Sequence, residues 1–447
     1  MTMEKIRHYF FVLRSTSWAF LTYVLCYFKA YSSKDKASNI SKVIHINTDD
    51  QSGGAAKIAR ELCELQRNNG IDSQLLVHTK KLTEHYSSQL QQSNSRKQHF
   101  LSFAQKRLGW QDFFHLSSLA IAKHPLVASA DLVHLHNVHG DYFSYLALPS
   151  LSHVKHVVWS LHDMHPITGH CSYSLACSKW ESQCGNCPDL TIYPALKKDT
   201  TKFIHHTKKI SYGKSKLHVV ALSNWMLKQL QTSILNDQAL HLIYNGIDTS
   251  VFYPRKKEVV REQLGLPLDK KIILFSANLG TANPFKGSDY LIKLVADYSN
   301  ENDYLFVAIG NNTDEESSNP NLKTVPYIKS ADTMAEYYAA ADLYLYPSLA
   351  DNCPLVVLEA MGCGIPVLAF DTGGTAELVL HEKTGYIASY KNYDDLKNGF
   401  EWLFSNNERL TTLSEKASER VKELFTLEIM HENYMNLYRT IIQNDKV

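Results

Sequence analysis

Ser348 to Glu377 reads SLADNCPLVVLEAMGCGIPVLAFDTGGTAE, and this stretch decides how the rest of the chain is read. Asp351 stands in a loop before a helix predicted over Pro354 to Met361, and Glu359 lies eight residues on, inside that helix. Eight residues are about 2.2 helical turns, so the two carboxylates can address one elongated polar ligand at separate points. Pro366 to Phe370 follows as an apolar strand and Gly373-Gly374 as a turn. Working backward, Leu343 to Tyr346 reads as strand, Met334 to Ala341 as helix, Tyr304 to Ile309 as strand, Asp289 to Tyr298 as helix and Lys271 to Ser276 as strand. Strands alternating with helices predict a doubly wound parallel sheet. A helical tail runs from Tyr393 to the end.

Upstream, Ile243 to Pro254 (IYNGIDTSVFYP) joins an Asn-Gly turn to a proline-terminated extended piece, the composition of a hinge. The same alternation precedes it. Val43 to Asn47 reads as a buried strand, Ser52 to Ala55 as a glycine turn and Ala56 to Arg67 as an amphipathic helix. Ser73 to Val77, Leu132 to His136, His156 to Leu161 and Leu217 to Leu222 are further strands, and the polar stretch from Leu82 to Gln98 reads as a mobile loop or an insertion. The expected divisions are a leader over 1–42, an N-terminal Rossmann-like domain over 43–245, a second over 246–425, and a final helix over 426–447 packing back toward the first.

The chain has 447 residues, enough for about three average domains or two large α/β ones. With 46 Lys plus Arg against 45 Asp plus Glu, it has no overall field to hold a nucleic acid by its phosphates, so no nucleic-acid partner is expected. The leader differs. It carries seven basic side chains against Glu4 and Asp35, and its aromatic run from Tyr9 to Phe28 is interrupted by Arg14 and several hydroxyl residues. A helix lying on a membrane surface, one packed in a core and one spanning the bilayer are the readings open, with the interfacial helix favoured by the basic flanks and aromatics.

The window from Ser348 to Glu377 resembles the retaining glycosyltransferases of family 4, which have the GT-B fold. The resemblance rests on acidic residues at 351 and 359, on Glu359-Ala360-Met361-Gly362-Cys363-Gly364-Ile365-Pro366-Val367 and on Gly373-Gly374-Thr375-Ala376-Glu377. It extends from about Val43 to about Leu403 and takes in Asn245-Gly246-Ile247-Asp248 through Phe252-Tyr253-Pro254. It implies two Rossmann-like domains facing across a cleft and transfer of a sugar from a nucleotide-diphosphate donor to a glycan or lipid-linked hydroxyl, in surface polysaccharide synthesis. By position, Glu359 would bind the ribose hydroxyls, Asp351 the donor sugar, and backbone amides at Asn352, Cys353 and Leu355 the diphosphate. Lys286 would neutralise the diphosphate, Gly53 and Gly54 would let it approach the backbone, and His162 of Ser160-Leu161-His162-Asp163 would approach the sugar, with Asp163 fixing its tautomer. His134, His136, Asn137 and His139 are candidates for the same cleft. The chain departs from the family pattern at two points: Asp351 stands where Glu is usual, and Asn278 stands near an expected Arg.

No Asp-x-Asp pair stands in the cleft windows, so transfer without a metal or other cofactor is expected. Cys171, Cys177, Cys184 and Cys187 fall within seventeen residues. Structural zinc on four thiolates, two disulfides and four free thiols are the readings open there. The other cysteines are dispersed, which suits a reducing compartment and, with the leader, a cytoplasmic enzyme peripheral to the membrane's cytoplasmic face. A nucleotide-sugar epimerase or phosphorylase on the same scaffold and a non-catalytic nucleotide-sugar sensor are the rival readings.

Overall fold

The computed structural model describes residues 40–91, 96–277, 284–311 and 319–444. The leader up to residue 39 and Asn278 lie outside the described residues, as do the readings placed on them. Ser41 to Asn433 is one compact unit, and residues 434–444, which continue the last helix, belong to another.

Two sheets form the larger unit. In the first, β1 (Lys42–Asp49), β2 (Asp72–Thr79), β3 (Ser87–Gln89), β4 (Leu132–Leu135), β5 (His156–Leu161), β6 (His218–Ala221) and β7 (Ala239–Leu242) lie in the order β3-β2-β1-β4-β5-β6-β7. In the second, β8 (Lys271–Ser276), β9 (Tyr304–Asn311), β10 (Leu322–Pro326), β11 (Leu343–Tyr346), β12 (Val367–Phe370) and β13 (Gly385–Ala388) lie in the order β10-β9-β8-β11-β12-β13. Every neighbouring pair is parallel. Helices α1 (Gly53–Asn68), α2 (Asn224–Thr232) and α3 (Leu355–Gly362) carry the ends that build the site.

Central strands are covered on both faces, and β4, β11 and β12 are buried at every residue, which is why they read as unbroken apolar runs. Edge strands pair on one side only and carry no such signature. β3 is Ser-Ser-Gln and pairs β2 through its backbone, with Leu75 opposite Ser87. The mobile loop expected over Leu82 to Gln98 is corrected accordingly: the segment supplies this edge strand and buries Tyr86 and Leu90.

The strand order reverses between β1 and β4 in one sheet and between β8 and β11 in the other. Ligands bind such sheets outside the carboxyl ends of the strands at these reversals. Between the sheets, Ile247 N–H donates to Phe425 O (2.9 Å) and Leu427 N–H donates to Ile247 O (3.0 Å). Gly246 permits this approach, since a Cβ there would fall 2.2 Å from Thr426 O.

Candidate active site

Four loops leave the two reversals, and Gly53, Gly54, Asn137, His139, Lys286 and Asp351 lie on them, while His162 follows the neighbouring β5 and Glu377 follows β12. After β1, Gly53 takes φ +84° and opens α1; after β11, Pro354 precedes α3. Neither start carries a side-chain cap, although Ser52 and Pro354 occupy the N-cap positions. A Cβ on Gly54 would lie 3.6 Å from Leu355 Cδ1, so the two helix starts meet at one mouth. Uncapped N–H groups and two positive dipole ends favour an anion there.

The acidic pair is held by lysines. Asp351 Oδ2 accepts from Lys286 Nζ (2.6 Å) and from the hydroxyl of Tyr346, itself buried in β11. Lys286 is brought there by Gly287, whose φ of +75° and contact with Pro347 O leave no room for a Cβ, which would fall 1.9 Å from that oxygen. Glu359 Oε1 accepts from Lys57 Nζ (2.6 Å), which comes from α1, and Oε2 accepts from Tyr338 OH (3.3 Å). Burial works to neutralise Lys57, but Glu359 and Glu61 outweigh it and hold the ammonium above its ordinary range. Glu61 is pushed up to about 7 by burial, against the pull of Lys57.

Asn352 N–H, expected at the diphosphate, here donates to Asp351 Oδ1 (2.9 Å). The Asn352 side chain joins the two sheets: Nδ2 donates to Leu161 O (2.8 Å) and Oδ1 accepts from Ser223 Oγ (2.7 Å). Cys353 is buried, and burial pushes its thiol up to about 12. Glu377 of the glycine element turns away from the acidic pair. It accepts from the N–H groups of Asn224 (2.7 Å) and Trp225 (2.6 Å) and from Tyr244 OH (2.8 Å), capping α2 from the opposite sheet.

His162 heads a row of imidazoles. Its Nε2 lies 3.0 Å from His136 Nδ1, His136 Nε2 lies 3.0 Å from His45 Nδ1, and His45 Nε2 lies 2.9 Å from Gln66 Oε1. Gln66 Oε1 also accepts from Ser73 Oγ (2.8 Å), so His45 must donate to it from Nε2. Each ring in turn then donates from Nε2, which leaves His162 with a bare Nδ1 acceptor. His136, not Asp163, therefore sets the tautomer of His162. Asp163 is committed elsewhere, to His139 Nε2 (2.8 Å) and His165 N–H (2.9 Å). Burial lowers His162 and His45 to about 4 and holds His136 and His134 well below their ordinary value, so the row is neutral at pH 7. His134 packs beside it, with Nε2 2.7 Å from Ser160 Oγ. Asn137 accepts from Thr48 Oγ1 through its carbonyl (3.0 Å).

Cys171, Cys177, Cys184 and Cys187 line one cavity with His170 and Trp180, and none of the four is in a disulfide. His170 Nδ1 lies 3.1 Å from Pro194 O and its Nε2 lies 3.4 Å from Cys187 Sγ. Among the described residues, His45, His134 and His136 bring three ligand atoms within 4.8 Å of one another, as do Asp112, His115 and Asp141; the four cysteines are not among such groups. The tri-histidine group is tied into the hydrogen-bonded row above.

Lys57, Tyr338, Tyr346, His45 and Gln66 were not singled out from the sequence. Period two in β11 places Tyr344 and Tyr346 on one face of the strand, the one signal that pointed to Tyr346. Nothing local marks Lys57.

Two doubly wound parallel sheets whose strand-order reversals share one mouth have the architecture of the GT-B glycosyltransferases. The chain belongs to glycosyltransferase family 4: the model described as Glycosyltransferase Family 4 matches residues 52–251, and Glycosyl transferases group 1 matches residues 256–420. It is 24% identical over 234 residues to the N-acetyl-alpha-D-glucosaminyl L-malate synthase of Bacillus anthracis, a match spanning 51% of this chain and 61% of that enzyme, less than two thirds of its length. Among solved structures, sucrose-phosphate synthase from Thermosynechococcus elongatus superposes with a TM-score of 0.67 at 19% identity, over 90% of this chain and 100% of that one. HepE of Anabaena in complex with UDP-glucose gives 0.61 at 16%, over 89% and 99%. These two likenesses bear on the fold. No helix among the described residues is long and apolar enough to cross a membrane.

Proposed function

We propose that this glycosyltransferase moves a hexose, with retention, from a nucleoside-diphosphate sugar to a hydroxyl of a glycan or lipid-linked acceptor in surface polysaccharide synthesis. The observation that carries the reading is the convergence of two uncapped helix starts on one mouth, flanked by Glu359 and α3 on one side and Lys57 and α1 on the other. In this reading the diphosphate rests on the helix starts beside Gly53, Gly54 and Leu355, Glu359 takes the ribose, and Asp351 and neutral His162 take the donor sugar. Lys286 stabilises the charge that builds on the leaving diphosphate. A departing β-phosphate oxygen takes the acceptor proton, which requires no divalent metal at the reacting centre. The solved complex of HepE makes uridine the first base to test.

The test is thermal stabilisation of the purified protein, in EDTA, by a panel of nucleoside diphosphates and their sugars. One base is expected to raise the midpoint by several degrees, and Glu359→Ala to abolish the shift; no shift with any of them overturns the reading. Acceptors are compared next. The Bacillus anthracis enzyme is named for malate, so small hydroxy acids belong beside lipid-linked and free oligosaccharides. Residues 1–42 are assigned to membrane contact at the cytoplasmic face, and equal rates on lipid-linked and free acceptor with and without them would remove that role.

Zinc at Cys171, Cys177, Cys184 and Cys187 is supported by their shared cavity and by the free thiols. Because the four sulfurs are not drawn together here, bound zinc would contract the loop. Protein purified without chelator is expected to hold about one zinc per chain, lost in Cys184→Ser. Four freely reactive thiols and no metal would end the idea.

A further inference from the structure

The donor site read from the sequence is one cation short. A diphosphate brings two or more negative charges to a mouth that already holds Asp351 and Glu359, and Lys286 is the cation that the motif supplies from the second sheet. The structure places another in the same mouth from the first sheet. Lys57 stands four residues into α1, about 6 Å along the axis from Gly53 and within reach of either helix start for a flexible lysine. Its Nζ contacts Glu359 Oε1 at 2.6 Å, lies 3.8 Å from Glu61 Oε1 and sits 4.7 Å from the centre of the Phe252 ring.

The two ion pairs match. Lys286 holds Asp351 and Lys57 holds Glu359, each at 2.6 Å, and each carboxylate is the one that the donor reading gives to neutral hydroxyls. A donor whose adjacent hydroxyls take both oxygens of a carboxylate competes with the lysine for the oxygen that the lysine holds. Its phosphates then offer both ammonium groups an anion in place of the released carboxylates, with Glu61 still 3.8 Å from Lys57, and the hydroxyls replace the lysines as donors to Asp351 and Glu359. Resting on the donor reading above, we infer that Lys57 is the second cation of the donor site: it holds Glu359 while the cleft is empty, then passes to the diphosphate and releases Glu359 to the ribose. The same pair links α1 to α3, so the exchange also loosens one contact between the two sheets as the donor seats.

Binding of a nucleoside, its monophosphate and its diphosphate isolates this role, since only the phosphates distinguish the three. The uridine, adenosine, guanosine and thymidine series are titrated calorimetrically into wild type, Lys57→Met and Lys57→Arg. Lys57→Met, which keeps the length of the stem over Phe252, is expected to weaken the diphosphate about 10- to 100-fold, the worth of a hydrogen bond between charged groups. Nucleoside affinity is expected to stay or rise, because Glu359 is no longer held, and Lys57→Arg is expected to restore most diphosphate binding. Unchanged diphosphate affinity in Lys57→Met, or equal losses for nucleoside and diphosphate, would overturn the inference while leaving the donor reading intact. A wild type that binds no diphosphate of any series would overturn both.

Discussion

Lys286→Ala is expected to lower kcat/KM by roughly thirtyfold to a thousandfold, about 2–4 kcal/mol of transition-state stabilisation. Two effects add. In the proposed reading the variant removes the cation beside the leaving diphosphate, and it leaves Asp351 facing those phosphates with neutral partners alone, the Tyr346 hydroxyl and the Asn352 N–H. Unlike charges become like charges at the point where negative charge grows. Lys286→Arg keeps the charge and is expected to recover a large part of the rate. Because the Lys286 side chain is 31% exposed and packs in a turn, the thermal midpoint of the alanine variant is expected to stay within a few degrees of wild type. Initial rates with the donor identified by thermal stabilisation decide the matter. Kinetics within twofold of wild type would remove Lys286 from the reaction.

Acid is expected to unfold the protein well above the carboxylate range. His45 and His162 are lowered to about 4 by burial, and His134 and His136 are held well below their ordinary value, so the folded chain keeps them neutral where an unfolded chain takes up protons near 6.5. The unfolded state therefore binds more protons below 6.5. Stability is complete above that value and falls as pH drops toward 4, by about 1.4 kcal/mol per pH unit for each proton taken up. His139 acts in the other direction. Burial lowers it, but Asp163 raises it above its usual value, so its share is present in acid and is lost as pH rises through its folded pKa. Glu61 and Asp112, pushed up to about 7 by burial, act in the same sense as His139, while His115, His205 and His241, lowered to about 4 by burial, add to the row, so the balance is still a loss in acid. Urea midpoints at pH 7.5, 6.5 and 5.5 measure the slope, and a flat profile would contradict a neutral histidine row.

That row also limits the chemistry. An imidazole held near 4 does not serve as a general acid at pH 7, so His162 contributes a neutral hydrogen-bonding edge whose tautomer is fixed by His136, His45 and Gln66.

The sequence by itself determined the two doubly wound sheets and put Lys286, Asp351 and Glu359 past the ends of strands in the second of them. Apolar strand runs, helix periodicity, and the glycines at 53, 287 and 373 are local signals, since each records burial or backbone sign at its own position. The edge strands β3, β7, β10 and β13 escaped because they are half exposed and rely on backbone pairing rather than on side-chain pattern. Tertiary structure alone decided who partners whom. Lys57 and Glu359 are 302 residues apart, Asn352 reaches Leu161 across 191 and Glu377 caps a helix 153 residues upstream. Nothing in a local window distinguishes such a lysine, asparagine or glutamate from a solvated one; the polar partner that makes it functional arrives only when the second sheet folds against the first.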